Sequence, residues 1–215
     1  MSMMSVVEAA SQLNVSERRV RQMLADGSIR GERVGRSWVI DEGQLHHRRS
    51  LGRPWSASSA WALLALADGA DLELPPVARS RAIKRLSLGI ENLVPKLSAR
   101  CRSQAAYSHP GVLSSVRGAI VQGGVSAAPI LGADLIAEDE VDGYIRSSEF
   151  GQLVQRFALD ERSDRPNVML RVVDDAVWPF VSDQQYAGRS VVAVDLLESS
   201  DPRAKRAGSA LLEEP

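Results

Sequence analysis

Cysteine is almost absent from this chain: Cys101 stands alone among 215 residues. No internal disulfide can form, nothing points to an oxidising compartment, and the lone thiol reads as a small apolar packing residue. Histidine is nearly as scarce, with three in all. His46 and His47 run straight into Arg48 and Arg49, which reads as an exposed basic helix end rather than part of a metal site. His109, followed by Pro110, reads as a turn residue and not a general base. Long apolar runs are missing too. The longest, residues 61–67, is far too short to span a bilayer. The N-terminus lacks a basic stretch followed by an apolar run, so no secretory signal is expected and the expected compartment is the cytoplasm.

The motifs of common chemistries are also missing. There is no G-x-x-x-x-G-K-[ST], no G-x-G-x-x-G, no H-E-x-x-H and no G-x-S-x-G. Asp174 and Asp175, directly after the best strand pattern, form the sole carboxylate pair worth weighing. Such a pair can hold a divalent metal, but it also makes ordinary turns, and no second acidic cluster stands at convincing spacing. The expectation is therefore a non-enzyme with no catalytic residue, no cofactor and no metal.

What is present lies mostly at the front. Ser5 and Glu8 form a capping box, in which each satisfies a backbone N–H near the other. Ala9, Ala10 and Leu13 then share one helical face. After Asn14 and Val15, Ser16 is a good N-cap for a second helix whose inner face is Val20, Met23 and Leu24. That arrangement turns Arg18, Arg21 and Gln22 outward, with Arg19 beside them. These are long donors that reach phosphates and purine edges in a major groove. Asp26, Gly27 and Ser28 end the helix, and residues 29–40 supply two short strands around Gly35 and Arg36. A Gly-X pair suits a two-residue type II′ turn. The hairpin carries Arg30, Arg33 and Arg36 over Val34, Trp38 and Ile40. Order and spacing resemble the winged helix-turn-helix of excisionase-like and MerR-like DNA-binding domains. In those families the second helix enters the major groove and the wing lies along the backbone. The resemblance makes Ser16, Arg18, Arg19, Arg21, Gln22, Arg30, Arg33 and Arg36 the expected DNA-binding set.

Charge divides the chain. Residues 1–102 hold 16 Lys+Arg against 10 Asp+Glu, and residues 103–215 hold 10 against 17. A basic front half suits a polyanion, and an acidic back half argues against that half touching one. Helices are expected over 57–67, capped by Ser56, over 77–88 behind Pro75 and Pro76, and from 90 towards 102 with Pro95 bending or interrupting it. A short helix capped by Asp41 is expected to run into His46. The helix around Arg79, Arg81, Lys84 and Arg85 is basic on one face and apolar on the other, its basic face either an extension of the DNA footprint or a solvated surface. Further on, 111–121 reads as a helix, 142–146 as a strand, 149–157 as a helix capped by Ser147 or Ser148, and 167–173 as the best strand. Residues 190–197 are open between buried strand and helix. Asp201 and Pro202 open a last helix over 203–213.

The back half carries a second resemblance. Residues 108–113, 124–128, 174–180 (Asp-Asp-Ala-Val-Trp-Pro-Phe) and 194–203 (Val-Asp-Leu-Leu-Glu-Ser-Ser-Asp-Pro-Arg) look like the antitoxin half of abortive-infection pairs of the AbiEi type (type IV). Such antitoxins join an N-terminal helix-turn-helix to a C-terminal domain and are encoded beside a nucleotidyltransferase-like toxin. The expected architecture is α+β: a winged helix-turn-helix over 1–50, a helical connector over 51–102 and an α/β domain over 103–215. The expected function is an antitoxin and autoregulating repressor, a homodimer on an inverted repeat in double-stranded DNA. Trp178 and Phe180, on an apolar loop, are candidate anchors for the toxin, against the plainer reading of core packing. The alternative is a transcription factor whose back domain senses a small ligand.

Overall fold

The computed structural model describes residues 3–13, 16–25, 31–35, 37–41, 53–70 and 75–213. It divides into two compact units, Met1–Arg53 and Pro54–Pro215. The architecture is α+β, with a helix-turn-helix at the N-terminus. No helix among the described residues is long and apolar enough to cross a membrane.

In the first unit, β1 (Met3–Ser5) leads into α1 (Val6–Leu13) and α2 (Glu17–Ala25), followed by β2 (Gly31–Val34) and β3 (Ser37–Asp41). The capping box is present: Ser5 N donates to Glu8 Oε2 at 2.7 Å and Glu8 N donates to Ser5 Oγ at 3.2 Å. Val6, Ala9 and Ala10 of α1 meet Val20 and Leu24 of α2 and Ile40 of β3 in a small core, with Met4 and Trp38 packed against it. β2 and β3 form a hairpin in the register Val34↔Ser37. Gly35 takes φ +63, the left-handed backbone that the first position of such a turn requires. β1, unrecognised as a strand in the sequence, pairs with β3 and makes the sheet three-stranded, in the order β1-β3-β2. Asp41 ends β3 opposite Met3. The helix expected after it, and the histidine pair, lie outside the described residues.

The second unit opens with α3 (Ala57–Ala67), α4 (Pro76–Leu86) and α5 (Ile90–Leu97). A four-stranded sheet follows, built from β4 (Arg102–Ala106), β5 (Val121–Gln122), β6 (Val141–Arg146) and β7 (Val168–Val173), in the order β4-β7-β6-β5. β6 and β7 are parallel and joined through α8 (Ser147–Arg156), while β4 and β5 run antiparallel to their neighbours. The remaining helices are α6 (Leu113–Arg117), α7 (Gly124–Ala127), α9 (Arg189–Glu198) and α10 (Pro202–Glu213).

Strand alternation splits the core in two. Val168, Leu170 and Val172 of β7 join Val141 and Ile145 of β6 in a cluster closed by Leu113, Val116 and Leu153. Tyr144 and Val173 belong instead to a larger cluster with α3, α5 and α9. The helices expected as a connector therefore share a core with the back half: Ala60, Leu63, Leu64, Leu93 and Leu97 lie in one cluster with residues 191–194. The ambiguity over 190–197 resolves as helix. α9 is buried from Ser190 to Leu196, and a helix enclosed on all sides shows no amphipathic period.

Three other expectations are corrected locally. Residues 111–121 are not one helix: a 3-10 turn at Pro110–Val112 leads into α6, and the chain is a strand by Val121. Neither Ser147 nor Ser148 caps α8, whose N-cap is Arg146; the Ser148 hydroxyl bonds Asp175 instead. The end of the helix expected from 90 towards 102 is a 3-10 turn at Ser98–Arg100, with β4 starting at Arg102.

Candidate functional site

On α2, side chains of opposite character separate by helical spacing. Val20 and Leu24 are buried. Arg18, Arg21 and Gln22 are exposed, as is Arg33 on β2. Ser16 holds the N-cap position, its carbonyl accepting from Val20 N at 3.1 Å. Arg21 is braced by Glu17 one turn back, with Nη2 to Oε2 at 2.7 Å. Both side chains of that pair face water, so the pair is weak and can be exchanged for a phosphate at little cost. The structure thus places Arg18, Arg21 and Gln22 on one exposed helix surface and Arg33 on the adjoining wing. The Arg19 side chain, Arg30 and Arg36 lie outside what is described. The Glu8 carboxyl is held below its ordinary range by the Ser5 N–H and hydroxyl.

The second unit holds an ion network that the sequence reading did not anticipate. Arg100, at the end of the turn after α5, points into the space between the sheet and α9. Its Nη2 meets Asp195 Oδ1 and its Nη1 meets Glu198 Oε1, both at 2.7 Å. Arg171 of β7 binds Asp142 of β6 through Nε and Nη2 at 2.9 and 3.1 Å, and Glu198 Oε2 through Nη1 at 3.1 Å. The Tyr144 hydroxyl donates to Asp195 Oδ1 at 2.5 Å, and Gly124 N donates to Oδ2 at 3.1 Å. Two guanidinium groups thus face three carboxylates. Arg100 and Asp195 are each 1% exposed, so these charges have left water and depend on one another. Burial opposes the charge of Arg171, but Asp195 and Asp142 outweigh it and hold its pKa well above the ordinary value. Burial pushes Asp142 up, against the pull of Arg171. Gly124, at φ +38, lies so close that a Cβ there would sit 2.0 Å from Asp142 Oδ2. A cavity of about 500 Å³ borders the network, lined in part by Asp142, Arg171, Asp195 and Glu198.

Two signals could have revealed this network: one arginine inside the apolar run 168–173, and one aspartate inside the apolar run 191–197. Opposite charges buried in separate apolar elements seek each other.

The other candidates take plainer places. Phe180 is 8% exposed and packs with Trp61, Tyr144 and Trp178 at centroid distances of 5.0–5.6 Å. It is a core residue, and its expectation as a partner anchor is withdrawn. Trp178 is half-buried, with Arg146 over its ring at 4.6 Å. Cys101 is packed against the core, and burial pushes its thiol up to about 11. His109 Nδ1 accepts from Gly111 N at 3.2 Å, as a turn residue does. Asp174 accepts from Ala176 N at 2.9 Å, while Asp175 receives the N–H and hydroxyl of Ser148, which lower its pKa. Among the described residues, no group of three or more His, Cys, Asp or Glu is placed to hold a metal. On α4 only Ala82 is buried, and Ile83 is 56% exposed, so the expected apolar face is largely unburied.

No curated protein and no solved structure matches the chain. Residues 3–50 match the family model of a helix-turn-helix domain. That span covers α1, α2 and the hairpin, where the exposed arginines lie, and the second unit falls outside it. The N-terminal unit is a DNA-binding helix-turn-helix domain.

Proposed function

We propose that the chain is an antitoxin that represses its own operon and counteracts a co-encoded nucleotidyltransferase-like toxin. The observation that carries the DNA half is the exposed row Arg18, Arg21 and Gln22 on α2 with Arg33 on the wing. In this reading α2 enters the major groove, the wing tracks the backbone, and Ser16, Arg19, Arg30 and Arg36 complete the contact set. One helix-turn-helix covers little DNA, so the protein binds as a homodimer on an inverted repeat in the cytoplasm. The antitoxin half is supported by the resemblance of residues 174–180 and 194–203 to AbiEi-type antitoxins. The acidic balance of residues 103–215 also suits a basic, nucleotide-using partner. Half-buried Trp178 remains the aromatic candidate for that contact.

The test is co-expression of the full chain with the toxin encoded beside it, alongside footprinting on the promoter region. The expected results are rescue of growth and protection of two half-sites related by a dyad. Absence of rescue overturns the antitoxin half. Unchanged binding by a folded Arg18/Arg19/Arg33/Arg36→Ala variant overturns the proposed DNA face.

A second reading, a ligand-sensing regulator, is favoured by the cavity of about 500 Å³ beside the ion network. Release of operator by a small metabolite, with no effect on any toxin, is its distinguishing result.

A further inference from the structure

The second unit carries a groove of about 740 Å³ between residues 132–136 and α10. Ala133, Leu135, Ala207 and Leu211 give it apolar walls. Ile136 also lines it and is 79% exposed. Asp134 lines one side of the groove and Arg203 and Arg206 the other. No salt bridge among the described residues engages any of these three. A hollow of mixed polar and apolar lining, an exposed isoleucine at its edge and charges of both signs outside any salt bridge thus share one surface.

We infer that this surface joins two copies of the chain about a two-fold axis. Each Ile136 enters the other copy's groove, and each Asp134 faces the other's Arg203 and Arg206. Three arguments favour a second copy over a different partner. In an isologous contact the same patch must supply both knob and hole, and this one does. The same holds for charge: a two-fold self-contact needs both signs on one patch, and Asp134 with Arg203 and Arg206 supplies them. Finally, a helix-turn-helix on an inverted repeat needs a dyad, and the patch belongs to the second unit, outside the DNA-binding one. This last argument rests on the proposed homodimer; the first two do not.

Sedimentation equilibrium on the full chain without DNA tests the surface separately from its function. The wild type is expected to be a dimer. Ile136→Glu should raise the dimer dissociation constant by about a hundredfold, as loss of a central anchor does, with an unchanged circular-dichroism melt. Ala210→Glu, on the opposite wall, should do the same and keeps the test standing if Ile136→Glu fails to fold. Asp134→Arg and Arg206→Glu should each weaken the dimer about tenfold, and the two together should restore most of the loss. A wild-type monomer up to about 100 µM, or Ile136→Glu and Ala210→Glu variants as dimeric as wild type, would overturn the inference. So would a groove that binds only the toxin. A dimer that ignores DNA would leave the surface intact and sink the DNA-binding reading instead.

Discussion

In the first unit Arg18, Arg21 and Arg33 stand in water on α2 and β2, while in the second Arg100 and Arg171 are enclosed with carboxylates and a tyrosine. The residue type is the same and the physics is reversed. An exposed guanidinium adds little to folding and is available to an outside anion. An enclosed one has lost its water and contributes only while every partner stays in place. The first unit therefore offers its arginines as donors to another molecule, and the second uses them to tie α9 to the sheet.

That contrast breaks most visibly at Asp195, which meets Arg100, Arg171 and Tyr144 together. Asp195→Ala should lower the unfolding free energy in urea by about 3–5 kcal/mol, because two buried cations lose a shared partner. Arg18→Ala should change it by no more than about 0.5 kcal/mol. Near-equal effects would erase the distinction.

The wall of the network gives the next largest effect. Gly124→Ala forces a Cβ against Asp142 and strains a backbone at positive φ, so a loss of about 1–3 kcal/mol is expected by thermal denaturation.

On the exposed side, the measurement is DNA affinity. Arg18→Ala or Gln22→Ala should cost about 1–3 kcal/mol of base discrimination. Arg33→Ala should weaken all sequences alike and flatten the salt slope by about one unit. Arg100→Ala, which alters the second unit, should leave that salt slope unchanged.

The smallest effect sharpens the picture at Glu8. Its carboxyl is lowered by Ser5 in the folded state, so the box is fully formed above the ordinary carboxylate range. It is lost as pH falls through the lowered value. Titration by NMR should place Glu8 below its ordinary value, and Ser5→Ala should move it up.

Elements whose signals are local were legible in the sequence. The Ser5–Glu8 box, the Gly35 turn, the Ser56 cap on α3 and the Asp201 cap on α10 each depend on neighbours within four residues. Strand β7 was legible from its branched apolar run. What escaped depends on distant partners. β1 and β4 are short strands defined by what they pair with, β3 and β7, and β4 opens on Arg102, Ser103 and Gln104, which carry little strand preference. α9 lost its helical period because it is enclosed on every side. The exposed face of α2 was readable because exposure on a short helix follows from spacing alone. The ion network was not, since Arg100, Asp142, Arg171 and Asp195 meet only after the sheet and α9 have assembled.

The pairing of Arg100 with Glu198, 98 residues apart, has a consequence for synthesis on the ribosome. The first unit is a compact unit within the first 53 residues, so it can fold as soon as it clears the exit tunnel. The second unit's enclosed charges cannot be matched until α9 emerges, nearly at the end of the chain. Until then Arg100, Asp142 and Arg171 stay hydrated, and the sheet face they belong to cannot close. A nascent or truncated chain ending before α9 would therefore carry a finished DNA-binding head on an unfinished body. Such a chain is an easy target for proteases.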